Sequence, residues 1–432
     1  MTPRMNLDLH NFAQRYNAAE TFLRGRTDVT DHNKDAILRF RDACLLHQVC
    51  GKVRLIRVFI VLGQASVLLG KDFEGATRED IERIITAFMR RLAPSSMALY
   101  KSIIKRFYGF LLFPDQFPRV TNQPPQVAWL RTTVRRADQR RLQRNDLLTP
   151  TDIQALLGIC RNPRDKALFA VLWETGGRIG EVGNLQVKHV TRVAHGYTLD
   201  FSGKTGQRTP LIVSAAPYLS QWLANHPFRD QPDAPLWVHN QYAGEPKPLM
   251  YTTIRHLLQR YFARAGIKKP VHPHVFRHAR ATYMLAAGLM NESQAKNYFG
   301  WTPDSHMLAT YSHLIDQDAN NAILRENNLT PERAHHDALK PLLCHVCGEL
   351  NAPQTDYCTK CSAVLNLKKA YEHQQLHTVK DEVVLNLVQI LVEKGLLDDA
   401  ARAIHEAKLG NALKTVAEHH ANNPSVPTTA KE

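Results

Sequence analysis

No apolar run in the chain approaches the roughly 20 residues that cross a bilayer, and the opening MTPRMNLDLH has no hydrophobic core of the kind a secretory signal needs. The expected location is therefore the cytoplasm, with no membrane partner. Acidic residues are in deficit: 40 Asp+Glu face 55 Lys+Arg, a formal net charge of +15. That balance argues against an extreme halophile as the source. It favours a polyanionic partner, most simply nucleic acid, because each neutralised phosphate releases counterions. Internal repeats are absent. None of these shortages signals disorder, since the hydrophobic fraction of 44% is ordinary for globular protein. At 432 residues the chain exceeds one compact core, and two to four domains are expected.

Cysteine is sparse, seven in all, and sorts into two kinds. Cys44, Cys50 and Cys160 stand singly in apolar surroundings and read as reduced core residues. The other four form Cys344-x2-Cys347-x10-Cys358-x2-Cys361 in turn-rich sequence. That spacing predicts a zinc ribbon over residues 340–366, in which two knuckles supply four thiolates to one structural Zn2+. Two disulfides are the alternative, and they would suit a secreted chain.

Residues 8–118 read as helices. TREDIERIITAFMRRL opens with a capping box, Thr77 to Asp80, and spaces Ile81, Ile84, Ile85, Phe88 and Met89 along one face. In MALYKSIIKRFYGFLL the residues Tyr100, Ile103, Ile104, Phe107 and Leu111 share a face. Lys101, Lys105 and Arg106 point elsewhere, either into solvent or toward phosphate. The stretch 119–147 is a linker. Its RTTVRRADQRRLQRN includes Arg131, Arg135, Arg136, Arg140 and Arg141, which suits a strap along a phosphate backbone. A fresh N-cap in LTPTDIQALL starts a second, mostly helical domain over 148–335, with a small antiparallel sheet in YTLDFSGKTGQRTPLIV. After the ribbon, 367–410 form a helical tail in which Val384, Leu387, Val388 and Leu391 make an apolar stripe. Residues 411–432 read as disordered.

Four segments of the second domain are ambiguous one at a time. ETGGRIGEVGNL places Arg178 after two glycines, with Glu181 one turn on to orient its guanidinium; a surface salt bridge would look the same. FSGKTGQRT sets Lys204 on a turn between Gly203 and Gly206, which could equally be a solvated lysine. HPHVFRHARAT spaces His274 and Arg277 three apart, on one helical face. GWTPDSHMLATYSHL carries Tyr311 ten residues after Trp301.

In order and spacing the four together resemble the tyrosine recombinase (phage integrase) family, in particular its archaeal integrases. Thr175, Gly176, Arg178, Glu181 and Leu185 match one family motif, and Gly203, Lys204 and Arg208 match its hairpin. Pro273, His274, Arg277 and His278 match the third, and Tyr311 and His313 the last. Many members have Gly-His where this chain has Gly300-Trp301, and Tyr311 lies one residue farther on than the commonest spacing. An indole N–H is a donor only, so Trp301 could hold a phosphate oxygen without shuttling a proton.

The resemblance implies a helical core-binding (SAM-like) domain followed by a catalytic domain. It implies DNA cleavage and rejoining through a 3′-phosphotyrosine, with Tyr311 as nucleophile and Arg178, Lys204, His274, Arg277 and Trp301 as the catalytic set. No cofactor serves that reaction. The partners implied are double-stranded DNA bearing a specific site, a homo-tetramer on it, and an accessory protein at the ribbon or tail. Tyr298 is a rival nucleophile off the pattern. A type IB topoisomerase-like enzyme, a catalytically inactive DNA-binding regulator and a zinc-ribbon adaptor remain alternatives.

Overall fold

The computed structural model describes residues 8–396 except 136–137, 139–142, 204–205, 240–243, 303–304, 306–323, 325–326, 328, 330–338, 354, 367–370, 372–382 and 392; those, with 1–7 and 397–432, lie outside the described residues. The chain is mainly α-helical and divides into two compact units, one reaching to Pro341 and one from Leu342. No described helix is long and apolar enough to cross a membrane.

The first unit opens with five helices, α1 (Phe12–Arg24), α2 (Asp31–Leu46), α3 (Lys52–Leu69), α4 (Arg78–Met89) and α5 (Pro94–Leu112). α3 buries a broad face that includes Leu55, Val58, Phe59, Val61, Leu62 and Ala65, and leaves a stripe of Val53, Arg57, Ile60, Gln64 and Val67 exposed. α4 starts with the expected Thr77–Asp80 capping box and buries Ile81, Ile84, Ile85 and Phe88. Met89 departs from expectation: it ends the helix beyond the buried stripe and is 60% exposed. In α5 the buried face holds Tyr100, Ile103, Ile104 and Phe107, while Leu111 is only partly covered. Phe107 meets Phe40 and Phe73 edge-on, with ring centroids 5.5 and 4.8 Å away, geometry that aromatic quadrupoles favour. Cys44 and Cys50 do not stand singly as expected. They are neighbours whose thiols interact, which with burial pushes the Cys44 thiol up.

A short helix, α6 (Pro125–Ala128), leads into the linker, and Val127 and Leu130 still belong to the first core. The next helices are α7 (Pro150–Ile159), α8 (Pro163–Thr175) and α9 (Ile179–Gly183). α8 is buried almost throughout and lies under α10 (Ala216–Ala224) and α12 (Pro273–Ala286), with α11 (Tyr251–Arg264) and α13 (Glu292–Phe299) completing this part. Its Glu174 carboxylate is buried without cost in unmet hydrogen bonds, because the N–H groups of Val213, Ser214 and Ala215 donate to it at 2.9, 3.1 and 2.6 Å.

The β-rich stretch is larger than the sequence reading. β1 (Val190–Val193) pairs with β2 (Gly196–Leu199), which pairs with β5 (Leu211–Ile212), all antiparallel. β3 (Phe201–Gly203) and β4 (Gly206–Arg208) form the expected hairpin, with Phe201 opposite Arg208 and Gly203 opposite Gly206. β1 was not foreseen, because its residues are mostly exposed and carry no apolar alternation.

In the second unit β6 (Leu342–Leu343) pairs antiparallel with β7 (Leu350–Asn351). Residues 383–391 are helical, and Val384, Leu387 and Val388 on them are exposed.

Candidate active site and metal centre

The turn after α8 sets the geometry. Gly176 caps the helix at φ +51°, and a Cβ there would come within 2.6 Å of Cε1 of Phe299. Gly177 lies equally close to Val182 and Phe201, so only glycine fits this turn. The chain then enters α9 with Arg178 at its N-cap. The Glu181 carboxylate accepts the Arg178 N–H and Nη1 at 2.9 Å each, and Nη2 of Arg208 at 2.8 Å. Burial pushes Glu181 up, but the Arg208 charge and the hydrogen bonds from both arginines outweigh it and hold the carboxyl below its usual range. This is no surface salt bridge, since the Glu181 side chain is 4% exposed.

α12 starts on Pro273 at its first turn, with His272 as N-cap. Arg277, one turn in, is 3% exposed. It donates to the carbonyls of Gly176 at 3.0 Å and Phe299 at 2.6 Å, and its guanidinium lies over the rings of Phe299 and Trp301. Arg178 Nη2 reaches the neighbouring carbonyl, Gly300, at 3.3 Å. Gly300 closes α13 at φ +60°, and Trp301 stacks on Phe299 with centroids 5.2 Å apart. Two guanidiniums thus converge on the end of α13.

They open onto a cavity of about 560 Å³ lined by Arg178, Ile179, Tyr251, His272, Pro273, His274, Arg277, His278 and Trp301. Desolvation in this recess, with the charges of Arg277, His272 and Arg178, holds His274 below its usual value. His278 is drawn down to about 4 by burial, then by His274 and His272. Neutral imidazoles beside two fixed cations make a site that attracts an anion and can take a proton from a group brought next to it.

Among the sequence-predicted residues, Arg178, Glu181, His274, Arg277 and Trp301 meet here. Lys204 and Tyr311 lie outside the described residues, as do His313, Arg136, Arg140 and Arg141. Tyr298 is described: its hydroxyl donates to the Glu174 carbonyl at 2.8 Å, and burial pushes its phenol up to about 12. Lys101, Arg131 and Arg135 line a separate depression beside Trp129. Lys105 instead donates to the carbonyls of Ala128 and Leu130, both at 3.3 Å, and Arg106 is exposed. Tyr251 and His272 also line the recess, and neither belongs to the four motifs. His272 stands two residues before His274, a signal that could have found it. Tyr251 has no such local mark; its N–H donates to the carbonyl of Leu9 at 3.0 Å and its ring meets that of His10.

The four cysteines of the second unit converge, their sulfurs all within 4.8 Å of one another. Cys344 and Cys361 are 3.6 Å apart, and so are Cys347 and Cys358. Tetrahedral thiolates at a zinc–sulfur distance of ~2.3 Å would be ~3.8 Å apart, so the set fits a metal ion. Each knuckle turns back on a left-handed residue, Gly348 and Ser362, whose N–H donates to the carbonyl of Cys344 or Cys358. Backbone N–H groups of Cys361 and Lys360 pull the Cys358 thiol down to about 6, toward the thiolate a metal needs.

The phage integrase family matches residues 146–318, the stretch that builds the cavity. A tyrosine recombinase of Pseudothermotoga lettingae is 25% identical over 285 residues, covering 65% of this chain and 93% of the relative. Tyrosine recombinase XerC of Shewanella amazonensis is 26% identical over 229 residues, covering 52% of this chain and 73% of the relative. Among solved structures, XerH site-specific recombinase bound to palindromic difH substrate shares the fold, with a TM-score of 0.51 and 16% identity over 74% of this chain and 96% of that one. The paired arginines, the histidine-lined recess and these matches lead to one assignment: residues 146–318 match the phage integrase family, and the chain is a tyrosine-type site-specific DNA recombinase.

Proposed function

We propose that Tyr311 is the nucleophile and that Arg178, Lys204, His274, Arg277 and Trp301 carry the cleavage step. His274 accepts the phenol proton, and the Tyr311 oxygen attacks the scissile phosphorus. The bond from phosphorus to the 5′-oxygen breaks, Lys204 protonates the departing oxygen, and DNA is left joined as a 3′-phosphotyrosine. Arg178 and Arg277 stabilise the charge on the non-bridging oxygens, and Trp301 adds an indole donor. Religation reverses each transfer with a different 5′-hydroxyl.

The observation that carries this reading is the convergence of Arg178 and Arg277 on one recess with His274 and Trp301. Tyr311 follows Trp301 by ten residues, and Tyr298 has its hydroxyl committed elsewhere. The intact set disfavours an inactive regulator.

The working partner is duplex DNA with a specific site, held by the helical domain over 8–118 through Lys101, Lys105 and Arg106 and by the linker arginines Arg131, Arg135, Arg136, Arg140 and Arg141. The catalytic domain spans 148–335, and four protomers act together in the cytoplasm, on nucleoid DNA. Cys344, Cys347, Cys358 and Cys361 hold a structural zinc. That ribbon, with Gly300-Trp301, aligns the chain with the archaeal integrases. Incubation with a suicide substrate tests the reading: covalent adduct is expected for the native chain and none for Tyr311→Phe, which should still bind the site. Adduct formation by the variant would move the nucleophile to another residue.

A further inference from the structure

We propose that Arg208 is a positioning residue for DNA cleavage, registering the strands that flank Lys204 against the carboxylate that orients Arg178. This rests on the reading of Lys204 as the general acid. Arg208 sits on β4 with its side chain only 11% exposed, so its charge must be paired to be tolerated. It spans three elements. Nη2 donates to Glu181 on α9 at 2.8 Å, Nη1 donates to the Tyr298 carbonyl on α13, and the guanidinium lies 4.7 Å over the ring of Phe201 on β3. Its buried Nε has no partner among the described residues, so the contacts favour one geometry over full satisfaction.

The opposite strand is registered against the same group. A Cβ on Gly203 would stand 3.1 Å from Oε1 of Glu181, which leaves β3 pressed onto that carboxylate. Gly203 and Gly206 pair across the hairpin and flank Lys204 and Thr205 in the sequence. Both strands that flank Lys204 are therefore located by Glu181, the first through contact and the second through Arg208. Oε1 of the same carboxylate holds Arg178. A planar fork holds Glu181 and the Tyr298 carbonyl in one fixed geometry, which the flexible ammonium of a lysine does not reproduce. A general acid works only within hydrogen-bond reach of the leaving oxygen, so a shift of this hairpin should cost proton donation first.

Sulfur in place of the scissile 5′-oxygen separates the two roles, because a thiolate leaves without needing a proton. Full-length Arg208→Ala, Arg208→Lys, Lys204→Ala and Arg178→Ala would be compared in single-turnover cleavage of oxygen- and sulfur-bridged suicide substrates. For both Arg208 variants a loss of roughly a hundredfold is expected on the oxygen substrate, with site binding retained and most of the loss recovered on the sulfur substrate. Lys204→Ala should behave likewise, and Arg178→Ala should stay slow on both. An equal defect of Arg208→Lys on both substrates, or no defect, overturns the proposal, and this variant keeps the test valid if alanine unfolds the chain. Failure of sulfur to rescue Lys204→Ala would instead overturn the reading of the acid, and this proposal with it.

Discussion

Arg277 is a buried cation whose fork is fixed by two backbone carbonyls before any ligand arrives. Such a group loses little freedom when charge develops beside it, which is the condition for electrostatic catalysis. Arg178→Ala and Arg277→Ala are each expected to slow single-turnover cleavage by roughly a hundredfold or more. Trp301→His should keep much of the activity, since imidazole also donates. Native rates in either arginine variant would contradict the phosphate clamp. The histidines add a pH dependence. With His278 drawn down to about 4 from 6.5, the unfolded chain binds a proton that the folded chain refuses between those values. Stability is then full above 6.5 and falls as pH drops toward 4. His278→Asn should flatten this part of a melting-temperature profile, and an unchanged slope would remove His278 as its source.

At the scale of elements, two helix ends build the site. α8 and α13 both stop on left-handed glycines, Gly176 and Gly300, and the Arg277 fork joins the carbonyls beside those stops. Gly176→Ala adds left-handed strain of about 1–2 kcal/mol and drives a methyl group into Phe299. It is expected to lower both melting temperature and cleavage, and full activity would show that the turn tolerates a side chain. Much of this was legible beforehand. Arg178 with Glu181, and His274 with Arg277, announce themselves because their chemistry needs fixed local spacing, as do the cap Thr77–Asp80 and the stripe on α5. The exposed β1, the end residue Met89 and the thiol pairing of Cys44 with Cys50 were not legible. Nor was Tyr251 in the cavity wall or Leu9 beside Gly183. The last two depend on which distant segments meet, and distance along the chain erases the pattern.

For the whole molecule, the boundary between units falls at Pro341–Leu342, past the residues that line the recess and before Cys344, the first of the clustered cysteines. A metal-bound thiolate cluster stabilises only the fold it closes. Chelation should therefore release one zinc per chain and unfold the ribbon, while cleavage already committed on DNA continues. Zinc analysis and single-turnover cleavage in EDTA check both halves. The exposed Val384, Leu387 and Val388 form an apolar stripe that a covering surface would take out of water. Recombination between two duplexes requires four coordinated cuts, so a covering surface on another protomer or an accessory protein would act on synapsis and not on the chemistry. Truncation after Lys340 is accordingly expected to leave cleavage by single chains intact and to weaken pairing of sites or their selection. A truncated chain that recombines two sites at full rate and fidelity would make the ribbon and tail dispensable. Loss of simple cleavage would make them part of the catalytic fold.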